Sequence, residues 1–192
     1  MKKYLHIALM LLCVFVVSSC KDDDDDTEAV EREAYKLEQD IASKAKVNET
    51  GFVRWYSEAG DGYVCAKLIE KGNGKQAYFN SLVSVYYKGS LTDGTVFDQQ
   101  LFDDGIPFPC AVSPYYAKTV TDPVTNSQTK YGSVISGWTV ALQHMVEGDK
   151  YEIWIPQQLA YGASDNGDIP AYSTLIFEIE LVSVDEQAAS AS

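Results

Sequence analysis

Trp138, Ala141, Leu142 and Met145 fall on one face of a helix with a 3.6-residue period, and the pattern lasts only two turns. A helix that short is not stable by itself in water, so its apolar face has to be buried by the rest of the chain. The flanking stretches are strand-like: residues 82–87 before it, 151–155 and 174–184 after it. Ser136 stands where an N-cap is expected and Gly148 where a left-handed stop is expected. The pattern predicts an α+β chain in which antiparallel strands wrap one short helix, with Trp138 turned inward at the helix start.

A further strand is expected at 63–69, ending in the turn residues Lys71, Gly72, Asn73 and Gly74, and a turn over 92–95 leads into Val96, Phe97 and Asp98. Within 82–88, Val83, Val85 and Tyr87 share one face and Ser84 and Tyr86 the other. Residues 106–112 read as a strand that Pro107 and Pro109 confine to an edge or a bulge. Segment 113–133 is polar and long for a connection, and its threonine-rich arms around Asp122 and Pro123 suit a hairpin. After the short helix, 150–155 is a strand halted by Pro156, and Leu175, Phe177, Ile179 and Leu181 alternate onto one face of the last strand. Residues 52–56 are too apolar for a free linker and are expected to pack on the domain.

The N-terminal sixty residues carry a different pattern. Residues 1–19 have the plan of a signal peptide: Lys2 and Lys3, an apolar run too short to span a bilayer comfortably, then Ser18 and Ser19 before Cys20. Val17, Ser18, Ser19 and Cys20 resemble a bacterial lipobox, which implies lipidation of Cys20 and a membrane anchor in the cell envelope. The aspartates of the linker 20–26 resemble the export tag of surface lipoproteins and equally suit a self-repelling spacer. The outer membrane is the expected address, with the periplasmic or surface face left open. Over 27–47, Val30, Ala34, Leu37, Ile41 and Ala45 make a narrow helical stripe within an extension spanning 27–60. Such a stripe suits docking on the domain, a stalk, pairing with a second copy or fraying in water, so the oligomeric state is open.

A formal net charge of −13 argues against a nucleic-acid partner, because a phosphate backbone is bound by clustered Lys and Arg. Of the four cysteines, Cys13 would leave with the signal and Cys20 would be lipidated. Cys65 and Cys110 lie in apolar, strand-like surroundings that favour buried thiols, while an exported compartment permits a disulfide between them. His6 and His144 are the only histidines and no Cys-x-x-Cys occurs, so no metal site is expected.

Taken in order, Tyr87-x-Gly89, Asp93-Gly94, Phe97-Asp98, Val134-Ile135-x-Gly137-Trp138, Ala160-Tyr161-Gly162, Ile169-Pro170 and Leu175-Ile176-Phe177 resemble the FKBP-type peptidyl-prolyl isomerases. The resemblance is strongest over 82–184, inside an expected domain of 61–186 followed by a polar tail at 187–192. It implies an α+β fold in which an antiparallel half-barrel sheet curls around one short helix. It also implies a catalytic set of Asp98, Tyr161 and Trp138. Trp138 would floor a proline pocket walled by Tyr87, Phe97, Phe108, Val134, Ile135 and Phe177. The Tyr161 hydroxyl would donate to one substrate carbonyl and the backbone N–H of Ile169 to another, with Asp98 ordering Tyr87. The implied substrates are proline-containing polypeptides, and the reaction needs no cofactor or metal.

Three departures from the family pattern stand out. Cys110 replaces a common aromatic, the insertion 113–132 replaces a short loop near the pocket, and 163–168 shortens a flap. The insertion is free to extend the substrate surface, cap the pocket or lie away from it. A non-catalytic chaperone or binding module on the same scaffold is the alternative function.

Overall fold

The computed structural model describes residues 24–187. The signal peptide expected at 1–19, Cys20 and most of the tail expected at 187–192 lie outside them. In chain order the elements are α1 (Asp24–Ala45), β1 (Phe52–Tyr56), β2 (Tyr63–Glu70), β3 (Ser81–Ser90), β4 (Val96–Gln100) and β5 (Phe108–Ala111). They continue with β6 (Lys118–Thr121), β7 (Gln128–Tyr131), α2 (Ser136–Leu142), β8 (Lys150–Ile155) and β9 (Leu175–Gln187). Seven strands make one antiparallel sheet in the order β1-β2-β8-β9-β3-β4, with β5 sharing the β3 edge with β4.

The apolar face of α2 is buried against this sheet, as so short a helix requires. Ala141, Leu142 and Met145 are fully buried with Val83, Val85, Ile153, Ile155, Leu175, Ile179 and Leu181. Gly137 makes the close approach possible, because a Cβ there would lie 2.3 Å from Ile155 Cγ2. The helix boundaries differ from the expected ones. Ile135 is the N-cap, with no side-chain cap bond, and Ser136 is already helical. The helix ends at Leu142, and two tighter bonds, His144 N–H to Ala141 O at 3.0 Å and Met145 N–H to Leu142 O at 3.1 Å, carry Met145 into the core. Gly148, with φ +87°, serves the turn into β8 instead.

Residues 52–56 do pack on the domain, as the edge strand β1 paired with β2. Trp55 stacks on His144 at 4.6 Å and meets Tyr151 edge-on at 4.9 Å. The expected hairpin around Asp122 and Pro123 forms as β6–β7. It lies on the face of β3 turned away from α2, where Tyr131, Tyr116 and Val120 cover Leu82 and Ala111. The Tyr131 hydroxyl donates to Asp185 Oδ2 at 3.1 Å. Cys65 and Cys110 are both buried free thiols. Burial pushes Cys110 up to about 12, and it raises Cys65 as well.

Among the described residues, those up to Glu33 and those from Ala34 onward fall into two units. In the described part of the first, Arg32 Nη2 and Glu28 Oε1 pair at 3.2 Å along α1. In the second, the later turns of α1 dock by a polar face rather than by the apolar stripe. Gln39 is 2% exposed: its Nε2 donates to Thr92 Oγ1 at 3.0 Å and its Oε1 accepts from Thr174 N–H at 3.1 Å. Thr174 Oγ1 donates to the Gln39 carbonyl at 3.0 Å, and the Tyr35 and Ser173 hydroxyls meet at 2.8 Å. Leu37 and Ile41 remain exposed. The reason is that Thr174, at the entry to β9, presents a buried N–H that must find an acceptor, and an apolar face supplies none. Among the described residues no helix is long and apolar enough to cross a membrane.

Candidate functional site

Strand alternation alone would send Phe97 and Asp98 to opposite faces of β4. A bulge prevents this. Gly89 pairs with Asp98 but Ser90 pairs with Val96, so Phe97 is the extra residue and both side chains line the same cleft. Gly89 is the space that admits them: a Cβ there would stand 2.7 Å from ring atoms of both Phe97 and Phe177. Tyr87 follows from the same face of β3, Phe108 from β5 and Phe177 from β9. The backbone leading into α2 adds Ser133, Val134 and Ile135, and the first turn of α2 adds Trp138. Tyr161 comes from the loop that follows the 3-10 turn Gln157–Leu159, which the fully buried Leu159 holds in place.

The cleft, about 350 Å³, is walled by rings set edge to face. Trp138 lies 5.1 Å from Tyr87 at 80° and 5.2 Å from Phe177 at 89°. Phe97 meets Phe177 at 5.5 Å and 84°, and Phe108 meets Tyr87 at 5.6 Å and 70°. Edge-to-face contact is the favoured geometry between aromatic quadrupoles, so the rings fix each other while leaving an apolar hollow. Trp138 is 4% exposed and forms the base.

Polar groups in this hollow are few. The Tyr87 hydroxyl donates to Asp98 Oδ2 at 2.7 Å. Burial, with the hydrogen bond to Asp98, holds the Tyr87 phenol well above its ordinary range, so it stays a neutral donor. Tyr161 is 39% exposed, and its hydroxyl has no partner within the described residues, which leaves it available to a ligand. Among the described residues no three His, Cys, Asp or Glu side chains gather to hold a metal.

Nine of the residues expected here therefore meet around one cleft: Tyr87, Phe97, Asp98, Phe108, Val134, Ile135, Trp138, Tyr161 and Phe177. Ile169 does not. It is 5% exposed and outside the lining, and its N–H donates to Asn166 O at 3.1 Å while its O accepts from Asn166 N–H at 2.9 Å. The short loop closes on itself through Gly167 at φ +58°, so the amide expected to meet a substrate is spent inside a turn. Cys110, fully buried, lies behind the wall rather than in it. Ser133 is the lining residue that the sequence reading passed over. Its signal was its position next to Val134, since the backbone that delivers Val134 and Ile135 brings Ser133 with it.

A family model described as FKBP-type peptidyl-prolyl cis-trans isomerase matches residues 74–182. The chain is 34% identical over 164 residues to the FKBP-type peptidyl-prolyl cis-trans isomerase FkpA of Aeromonas hydrophila, covering 85% of this chain and 51% of that protein. It is 37% identical over 123 residues to the outer membrane protein MIP of Legionella longbeachae, covering 64% of this chain and 44% of that one. The chain thus spans about half the length of these curated relatives. The crystal structure of FkpA from Escherichia coli superposes with a TM-score of 0.59 at 25% identity, over 98% of this chain and 83% of that one. The matched stretch holds every cleft residue and takes up more than half of the 192 residues, so the chain belongs to the FKBP-type peptidyl-prolyl cis-trans isomerase family.

Proposed function

We propose that this chain catalyses cis–trans isomerisation of Xaa-Pro bonds in polypeptides of the bacterial envelope, with the proline ring held on Trp138. The observation that carries the reading is the aromatic hollow whose one internal hydrogen bond, Tyr87 to Asp98, is already made. Rotation about the prolyl amide breaks no bond and is opposed by resonance, a barrier of roughly 18–20 kcal/mol. The twisted amide has lost its resonance and much of its charge separation, so it is less polar than either planar isomer. A water-poor aromatic site penalises the planar ground state more than the twisted one. A rate gain of ~10⁴ to 10⁶ needs only about 5–8 kcal/mol, within the reach of such a site plus one fixed donor.

The residues divide the work. Trp138, Phe97, Phe108, Phe177, Val134 and Ile135 strip water from the proline. Asp98 fixes the Tyr87 ring as a wall and places a carboxylate at the rim. Tyr161 donates to the carbonyl flanking the proline. With the Ile169 amide engaged in its turn, Tyr161 is the principal donor to the substrate backbone.

Turnover of a panel of Xaa-Pro peptides by the full chain tests this. Asp98→Ala removes the acceptor of a half-buried phenol and is expected to lower kcat/KM about tenfold or more. Tyr161→Phe deletes one hydrogen bond and is expected to lower it about fivefold. Rates unchanged in both variants would remove the cleft from the reaction.

The envelope address rests on the lipobox resemblance at Cys20 and on the outer membrane protein among the relatives. In this reading a lipid on Cys20, the acidic linker and the α1 extension tether the isomerase domain to the membrane. Expressed in a bacterium, the chain is expected in the membrane fraction and Cys20→Ala in the soluble fraction. Equal partition of the two would exclude the anchor.

A further inference from the structure

A second groove, of about 710 Å³, runs along the other side of α2. Ser136, Val140 and Gln143 lie roughly 140–200° around the helix from Trp138, so the helix separates the groove from the cleft. One wall is Tyr56 at the end of β1 with Glu58 and Asp61 of the β1–β2 loop; the other is Phe79, Pro114 and Tyr115. Tyr56 and Tyr115 are 61% and 85% exposed, an unusual outlay of aromatic surface on one concave face.

Both walls are fastened before anything binds. The loop is closed by Ser57 N–H to Gly62 O at 2.9 Å and Gly60 N–H to Ser57 O at 3.1 Å. Pro114 and Tyr115 open the 113–132 insertion, and they follow the fully buried Ser113. Thr139 of α2 ties down the base of that segment by donating to Val112 O at 2.6 Å. Phe79 lies against Tyr115 and Tyr116 at 6.3 and 6.2 Å. The insertion thus has two parts: the β6–β7 hairpin grips the back of the sheet, and its lead-in builds this wall.

The charged side chains that line the groove are acidic, and Arg54 stands at its margin with Cζ 5.9 Å from the Tyr56 ring. Glu58 and Asp61 line it and no Lys or Arg does. Neither carboxylate is ion-paired among the described residues. We propose that the groove takes a second stretch of the client polypeptide, one bearing a basic residue beside an aromatic, while the proline of the same client occupies the cleft. The inference rests on the isomerase reading above. A chain rounding the N-terminal end of α2 past Ser133 and Ser136 has about 10–12 Å to cross, or three to four extended residues. A second copy of this chain, at net charge −13, would be repelled from an acidic groove; a basic client segment would be drawn to it.

The test uses the full chain and three prolyl peptides: a short one, the same with Lys-Phe placed four residues from the proline, and the same with Glu-Phe there. Each extension is made on both sides of the proline. On one side, Lys-Phe is expected to lower KM about fivefold relative to Glu-Phe, with kcat unchanged. Glu58→Lys combined with Asp61→Lys, and separately Tyr115→Ala, are expected to erase that difference and leave the short peptide untouched. Equal KM for both extensions on both sides would overturn the proposal. So would a dimer that the charge variant dissolves without any peptide preference. If even the short peptide is not turned over, the isomerase reading fails. The groove is then read from fluorescence anisotropy with the Lys-Phe peptide carrying alanine for proline: saturable binding lost in the charge variant upholds it, and no binding sinks it.

Discussion

Trp138→Ala is expected to abolish prolyl turnover and to lower the stability of the fold by about 3–5 kcal/mol. Both effects come from one side chain with two roles. Its indole is 4% exposed and closes the hydrophobic core beneath the helix, while its ring is the surface on which Tyr87, Phe108 and Phe177 stand at 5.1, 6.5 and 5.2 Å. Truncation leaves a cavity that neighbouring rings tilt into, so the cleft loses its floor and its shape together. Trp138→Phe separates the two roles, keeping most of the buried volume while changing the floor. Urea denaturation and peptide turnover are measured on both variants. A Trp138→Ala protein that folds and retains turnover within about twofold would show that the ground-state penalty arises elsewhere.

Gly137→Ala carries the second large effect, and here the harm comes from adding one methyl group. The new Cβ would lie 2.3 Å from Ile155 Cγ2 and 2.8 Å from its Cδ1, and Ile155 is fully buried in β8 with nowhere to retreat. The helix must lift off the sheet, at a cost of about 1–3 kcal/mol or more, and it takes Trp138 with it. Turnover and melting temperature should therefore fall together. Gly132→Ala is the control, since nothing lies within 4 Å of a Cβ there. If the collision with Ile155 is the cause, Ile155→Ala made in the Gly137→Ala background should cost less than the same change in the native chain. Strictly additive losses would point to some other origin.

How far the sequence foretold this molecule varied with the kind of signal. Alternation found β2, β3, β8 and β9 but not the edge strands β1 and β4, and two turns of helical period found α2, because both signals report burial on a known side. The stripe on α1 left its use open for the same reason: spacing says that Leu37 and Ile41 share a face, not that the face has a partner, and both are exposed. The docking face is chosen by Thr174, whose buried N–H needs the Gln39 amide, and these residues are 135 positions apart. Phe97 and Asp98 were named by resemblance, yet their joint presentation depends on a one-residue slip in pairing that no alternation pattern contains. Ile169 went the other way, since its motif is intact but its amide is closed in a turn. The groove behind α2 was invisible from sequence, because its walls come from segments near 56–61, 79, 114 and 139.

The outer edge of β3 has a bearing on how such a protein survives its own clients. Unfolded polypeptides carry unsatisfied backbone groups and readily add themselves as a further strand to any straight, open sheet margin. Here that margin is broken into two short pieces. Along β4 the bulge at Phe97 interrupts the ladder; along β5 Pro109 offers no amide proton, and the Ala111 N–H is already given to Gly132 O at 2.9 Å. In the isomerase reading proposed above, a client held by its proline would meet no continuous template beside the cleft on which to add itself as a further strand.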